Sequence, residues 1–423
     1  MERQDISMTM NLNERSQVPM IKQMLKDRIL TDKERKNLAI LEVIRKNGPI
    51  SRTDISKITE LNIVTVSNYV NHYIKKGLVL EGELDESTGG RKPVLVELNP
   101  KAGYIVGVGL NMMSVVGVLV DLEINVVAEI KRERAPENSE NVIENMVDMA
   151  SEIIEKAEID RGKIVGVGVG VPGIIDERGR TIRWPQSLGE KDLSVCLSIK
   201  DTFEKRLNIA TFVENDANAA VLGEKWLGLD RDVRHMLYMF SGVGCGVLIN
   251  GEIYRGATGA AGELGIASTK ASKEYAVEIA TQLGRWEMDI GMVRQAKEKI
   301  QKGEPSILKD FVQGNLSQLN FKHVIKAVKE KDPLAIKIVE HAGAELGKKI
   351  AFLVNLLNPE IVVIGGGIED CGAPLLDAIK IAIKEWCVEE AANSAKIIPS
   401  AFGENAVALG VVGIVAREVF AQA

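Results

Sequence analysis

The chain has 423 residues, 45% hydrophobic and 26% charged, with a formal net charge of −6; this is an ordinary globular balance with core enough for two or three domains. No apolar run reaches membrane-spanning length, the polar start "MERQDISMTMNLNERSQ" lacks the apolar stretch of a signal peptide, and the four cysteines form no C-x-x-C pair. A membrane-spanning protein, a disulfide framework and a zinc knuckle are therefore not expected, and the cytoplasm is the expected location.

Charge divides the chain. Residues 1–100 carry 16 Lys+Arg against 14 Asp+Glu, and the remainder 37 against 45, so a nucleic acid would be met by the head and not by the acidic body. Residues 1–33 read as an arm with one amphipathic stretch, "PMIKQMLKDRIL", suited to packing on the head, touching DNA or pairing.

Residues 34–98 read as a winged helix-turn-helix. A first helix over Glu34–Lys46 carries Leu38, Leu41 and Ile44 at helical spacing and stops at Asn47-Gly48-Pro49. Ser51 followed by Asp54 marks the start of a short second helix, with Ile55 and Ile58 as its apolar face. The third helix runs from near Asn62 to Gly77. At ~100° per residue, Val66, Val70, Tyr73 and Ile74 form its core stripe, while Val64, Asn68, Asn71 and Lys75 share the opposite side. Carboxamides there can read an adenine edge, and a lysine can meet a phosphate. Thr65, Ser67 and His72 flank this face, and Thr53 on the preceding helix joins it; the alternative is a plain solvated face. A hairpin follows, "LVLEGEL" and "VLVEL" joined by "DESTGGRKP", whose Arg91 and Lys92 suit a wing reaching into a minor groove, or an ordinary polar linker.

From residue 99 the pattern becomes α/β. "YIVGVGLNMMSVVGVLVDLEINVV" from Tyr104 is echoed by "HMLYMFSGVGCGVLINGEIYRG" from His235: strand, glycine turn, strand, polar turn. The echo predicts two related lobes facing a cleft, lobe one over 99–213 with the C-terminal helix 405–423, lobe two over 214–404. Further strands, Lys163–Gly173, Ile209–Asp216 and Glu360–Ile368, read as covered on both faces. Three loops follow strand ends and should line the cleft: Pro172-Gly173, Glu214–Asn218 and Gly259–Gly265. Carboxylate and carboxamides at Asn215 and Asp216, just past a buried strand, call for polar partners, with a hydroxyl-rich sugar or an Asx-type helix cap as the two readings.

"FSGVGCGVLINGEIYRGATGAAGELG" (Phe240–Gly265), "VENDANAAVLGE" (Val213–Glu224) and "GGRKP" resemble the ROK family, which joins bacterial sugar-responsive repressors with sugar kinases, and most resemble the repressor branch that includes xylose and N-acetylglucosamine repressors. The resemblance runs from about Glu34 to the C-terminal helix. It implies an actin/hexokinase-like two-lobed fold, a carbohydrate effector contacted by Asn215, Asp216 and Glu263, with Glu278 matching a further glutamate, and double-stranded operator DNA as partner of a homodimer or homotetramer.

The sequence departs from the family's kinases. Their Gly-x-Asp-x-Gly-Gly-Thr hairpin has Gly109 here at the Asp, Asn111 and Met112 at the paired glycines, and Met113 at the Thr. Two thioethers stand where phosphates would lie, and phosphoryl transfer depends on metal and donor positioning. Ile266 stands at the family's His, "ASTKASKEYAVEIATQ" replaces its zinc loop, and Ser187 stands at a sugar-contacting Asn. The expectation is a regulator without metal, cofactor or catalytic residues, controlling carbohydrate genes, xylose genes among them. Its rivals are an ATP-dependent sugar kinase with an added head, and a repressor whose sugar pocket has decayed.

Overall fold

The computed structural model describes residues 30–84, 94–111, 114–133, 139–176, 181–183, 198–228, 233–240, 244–264 and 291–423. The residues singled out above at Arg91, Lys92, Met112, Met113, Ser187, Ile266 and Glu278 lie outside them.

Helix α1 spans Asp32–Asn47, two residues earlier than the apolar spacing predicts, because Thr31 and Glu34 close a capping box. Ser51 caps α2 (Arg52–Thr59), accepting from the Asp54 N–H, and Asn62 caps α3 (Ile63–Lys75) through the Val64 N–H. Strands β1 (Ile50–Ser51), β2 (Val79–Leu84) and β3 (Val94–Leu98) form one antiparallel sheet with β3 central. Ile40, Leu41, Ile44, Ile55, Val66, Val70 and Tyr73 are its core. Ile58 is 54% exposed, against expectation. A helix of eight residues meets its neighbours along one line, and Ile55 takes it.

The body holds two five-stranded sheets. Lobe one contains β4 (Tyr104–Leu110), β5 (Ser114–Asp121), β6 (Val126–Glu133), β7 (Ile164–Val171) and β10 (Thr211–Asn215), in the order β6-β5-β4-β7-β10; β8 (Ile174–Ile175) and β9 (Thr181–Arg183) form a separate hairpin. Lobe two contains β11 (Met236–Phe240), β12 (Gly244–Ile249), β13 (Glu252–Ile253), β14 (Ile361–Gly365) and β15 (Lys396–Pro399), ordered β13-β12-β11-β14-β15. In each lobe the first strand is central, the next two pair antiparallel on one side, and the last two pair parallel on the other. The duplication read in the sequence is thus a duplication of topology.

The Val-Gly alternation of β4 and β7 has a packing cause. Side chains alternate between sheet faces, so Val106, Val108, Val167 and Val169 face α4 (Ser139–Lys156) and α5 (Ile199–Leu207). Gly107 and Gly109 face the other way, paired in register with Gly168 and Gly170. This glycine floor receives the C-terminal helix, Ala406–Ala421. A Cβ on Gly107 would stand 2.3 Å from the Ala408 carbonyl oxygen, and one on Gly170 2.3 Å from Val407 Cγ1. That helix is apolar all round, and of its residues only Arg417 escapes full burial, as a helix enclosed on every side should be. It touches more than lobe one. It also packs against α6 (Asp216–Leu227) in lobe two and against α1 of the head.

Candidate functional site

Two surfaces carry chemistry, one on the head and one in the cleft. On α3, Val66, Val70 and Tyr73 are fully buried and Ile74 is half-buried, while Val64, Asn68, Asn71, His72 and Lys75 are exposed, so the apolar stripe and the opposite face separate as the helical arithmetic requires. Thr65 and Ser67 are half-buried at its margins, and Thr53 is exposed on α2. Asn68 makes no side-chain hydrogen bond to the described residues. Asn71 differs: its Oδ1 accepts from Arg52 at 3.3 Å, and Arg52 is ion-paired to Glu81 of β2 at 2.9 Å. The sequence reading missed Arg52, a cation at the start of α2 whose place opposite Asn71 depends on the crossing of two helices. Burial and then Lys76, Lys33 and Lys75 hold the His72 imidazole below its usual pKa. Those three lysines make the surroundings of His72 at the end of α3 locally positive.

In the cleft, the three loops named from sequence converge on Asn215. Its backbone ends β10 and caps α6, with Oδ1 accepting from the Asn218 N–H at 3.1 Å. Its Nδ2 donates to the Gly173 carbonyl at 3.1 Å and to Glu263 at 3.4 Å. The sugar and cap readings were posed as alternatives; the side chain is a cap, and its remaining donors organise the cleft rather than standing open. Glu263 is positioned by its neighbour Gly262, whose carbonyl accepts from the Cys245 N–H at 2.9 Å and whose absent Cβ would lie 1.8 Å from the Cys245 carbonyl oxygen. With φ at +86°, only glycine fits there.

Asp216 is the first residue of α6 and is buried, with Oδ1 accepting from the Ala217 N–H at 2.8 Å. Burial, and then the charge of Glu263, push its carboxyl up to about 7 against the pull of those N–H donors. Such a group accepts a hydroxyl hydrogen bond as carboxylate or donates one as acid near neutral pH. Beneath it lies a pair the sequence reading missed. Arg255 grips Glu214 through both guanidinium ends, Nη1 to Oε1 at 2.9 Å and Nη2 to Oε2 at 2.6 Å. A carboxylate at the inner end of a buried strand was the available signal, since such a charge requires a partner.

The described residues of the first hairpin are tied to the loop before the C-terminal helix. Asn111 is buried and donates to the Glu404 carbonyl at 2.8 Å, while Ser114 Oγ donates to the Glu404 carboxylate at 3.3 Å. Lys131 pairs with the same carboxylate. At Gly109 a Cβ would stand 2.7 Å from the Ala408 nitrogen and 2.9 Å from Val407 Cβ. Among the described residues no cluster of three His, Cys, Asp or Glu is placed to hold a metal ion, and no helix is long and apolar enough to cross a membrane. Cys245 and Cys371 are buried, and burial pushes the Cys245 thiol up to about 12.

With this geometry in view, family profiles assign the chain. The ROK family profile matches residues 105–418, and a profile for winged helix-turn-helix DNA-binding domains matches residues 33–79. The chain belongs to the ROK family. Among ROK relatives, the xylose repressor of Bacillus subtilis (strain 168) is 30% identical over 378 residues, covering 89% of this chain and 93% of its own. The putative xylose repressor of Caldicellulosiruptor sp. (strain Rt8B.4) is 31% identical over 399 residues, covering 92% and 97%. The DNA-binding transcriptional dual regulator NagC of Escherichia coli (strain K12) is 25% identical over 392 residues, covering 91% and 93%. In fold, the chain matches the structure of a ROK family transcriptional regulator described as a homolog of the E. coli MLC protein, with TM-score 0.71 at 23% identity over 92% of this chain and 98% of that one. A ROK family glucokinase from Streptomyces griseus, solved with glucose and AMPPNP, gives TM-score 0.61 at 23% identity over 74% and 99%. The ROK body and the winged head expected from sequence are both present.

Proposed function

We propose that this protein is a sugar-responsive transcriptional repressor. Its α3 reads operator DNA in a major groove, and Asp216 and Glu263, organised by Asn215, meet the hydroxyls of a carbohydrate effector. The observation that carries this reading is the presence, on one chain alike over nine tenths of its length to named repressors, of an exposed carboxamide face on α3 and a built polar cleft. Xylose is the first effector to test, since two of those relatives are named for it. The occupied seat of Gly109 and the stitching of Asn111 and Ser114 to Glu404 support a body that has given up phosphoryl transfer. We place the protein in the cytoplasm as a homodimer or homotetramer, whose paired heads face a palindromic site.

The test combines three measurements on the purified full chain. Duplexes from its own promoter region should bind with a steep salt dependence, and xylose or another monosaccharide should change that affinity while raising the thermal midpoint. ADP formation with hexoses and pentoses should stay at background. ATP turnover at an enzymatic rate, or indifference to promoter duplexes at low salt, ends the proposal.

A further inference from the structure

Two helices lie between the cleft and the exposed face of α3, joined by a close backbone crossing at one end and by a buried asparagine at the other. The first joint is where α6 crosses the C-terminal helix. A Cβ on Gly410 would stand 2.0 Å from the Ala219 carbonyl oxygen, and one on Gly223 would stand 3.1 Å from Gly410 Cα. No side chain separates the helices there, so neither tilts without carrying the other. The same pair is tied again by Glu224 of α6, which accepts from Ser400 Oγ at 2.6 Å and from the Ala401 N–H at 2.9 Å, in the loop leading to the C-terminal helix.

The second joint lies at the far end of that helix. Asn37 of α1 is 1% exposed. Its Nδ2 donates to the carbonyls of Ala421 and Ala423 at 3.0 Å each, and its Oδ1 accepts from the Tyr73 hydroxyl at 2.8 Å. Tyr73 belongs to the buried stripe of α3, and burial raises its pKa well above that of a free phenol, so it acts as a neutral donor. An asparagine with all of its polar atoms engaged thus joins the end of the effector body to the helix that carries Asn68 and Lys75.

We infer that Asn37, with Tyr73 and the Gly223–Gly410 crossing, are positioning residues: they transmit occupancy of the cleft around Asp216 to the pose of α3. Asn37 touches neither cleft nor reading face. The inference deepens the regulator reading and rests on it. If Asn37 merely satisfied helix-end carbonyls, its loss would lower stability and leave the communication between sites intact.

The experiment compares wild type with Tyr73→Phe, which removes one hydroxyl, Asn37→Leu, which keeps the bulk, and Gly410→Ala, which wedges the crossing. Operator affinity is measured with and without saturating xylose, and xylose affinity separately. In the wild type the two operator affinities should differ by roughly 5–150-fold, the usual span of coupling between sites. In Tyr73→Phe and Asn37→Leu that ratio should fall towards one, with xylose affinity retained. A folded variant that keeps the wild-type ratio overturns the inference. Amide hydrogen exchange supplies an arm independent of any ligand: Tyr73→Phe should speed exchange in the C-terminal helix and α6, and Gly410→Ala should speed it in α3. Changes confined to the head, or to the crossing, overturn the inference. A wild type that ignores both duplex and sugars ends the regulator reading, and the exchange arm still decides whether the joints couple the lobes to the head.

Discussion

Gly109→Asp, which supplies the carboxylate that the resemblance to kinases would put at this position, should break the body. Position 109 lies on the glycine floor, where an added Cβ would stand 2.7 Å from the Ala408 nitrogen and 2.9 Å from Val407 Cβ. Real Cβ contacts are not that short, so sheet and helix must separate. Overpacking of this kind costs about 1–3 kcal/mol. The carboxylate would then lie in an apolar seam, and burying an unpartnered polar group adds roughly 1–3 kcal/mol even if it takes up a proton. The total, on the order of 2–6 kcal/mol, is a large share of a typical domain's 5–15 kcal/mol. Gly109→Ala isolates the steric part and should lose about 1–3 kcal/mol. Gly82→Ala, whose Cβ would meet nothing among the described residues nearer than the Leu95 carbonyl oxygen at 3.9 Å, serves as the tolerant control. Urea unfolding followed by tryptophan fluorescence suits the question, because Trp226 packs on the C-terminal helix beside Gly413 and Arg417. If Gly109→Asp unfolds at the wild-type urea midpoint and binds Mg·ATP, then the steric account of this glycine is wrong and the hairpin retains a nucleotide site.

Three further outcomes can be checked directly. Asn68→Ala should cost about 1–3 kcal/mol of discrimination between the operator and single-base variants, whereas Lys75→Ala should weaken all duplexes alike and lower the salt slope by about 1; competition titrations at several salt concentrations separate the two, and preserved base preference in Asn68→Ala refutes the assigned reading face. Arg255→Leu takes from the buried Glu214 its bidentate guanidinium partner, so stability should fall by about 3 kcal/mol in chemical denaturation, and adding Glu214→Gln should recover part of it. A single-variant loss within experimental error would remove that pair from the account. For Asp216 the folded carboxyl sits at about 7, above its ordinary 3.8. The native state therefore holds the extra proton between those values, and stability falls as pH rises from about 4 through about 7. Glu369, pushed up to about 7 by burial, adds a slope of the same sign. Thermal midpoints at pH 5 and pH 8 should differ less in Asp216→Asn than in the wild type; an unchanged difference shows that Asp216 is ionised in the native cleft.

What was legible in the sequence is what local periodicity controls. The two faces of α3 follow from residue spacing alone, and Ser51 and Asn62 announce their helices because a cap's partner lies two or three residues away. The repeat in the sequence has its counterpart in the strand order that the two five-stranded sheets share. Illegible were the contacts whose other half is hundreds of residues distant. Gly107, Gly109, Gly168 and Gly170 read as strand residues of a doubly covered sheet, but nothing local says that their missing side chains make room for Val407, Ala408 and Val411. Glu214 read as part of a polar loop, and its partner Arg255 arrives from the other lobe's hairpin. Asn37 stands three, four and seven residues before Ile40, Leu41 and Ile44, so spacing puts it on the buried face of α1; nothing local says that its partners are the end of the C-terminal helix and the Tyr73 hydroxyl.

The junction between head and body bears on how a regulator of this form can work. A flexible tether would let the heads find DNA whatever the lobes were doing, and a cleft ligand would have no hold on them. Here only five residues separate β3 from β4, and they are sewn to both sides: Asn99 donates from Nδ2 to the Gly77 carbonyl at 2.8 Å and from its N–H to the Leu78 carbonyl at 2.8 Å, while the Leu122 N–H donates to the Pro100 carbonyl at 3.4 Å. The head's core is also continuous with the body's, running from Ile40 and Tyr73 through Ala416 and Phe420 of the C-terminal helix to Ile105 and Val118 of the first sheet. The head is therefore packed on lobe one through a shared core. Lobe two reaches it through the helix that both lobes share. A ligand that favours one arrangement of the lobes biases the pose of the head by as much as its affinities for the two arrangements differ, with no loop needing to order or melt.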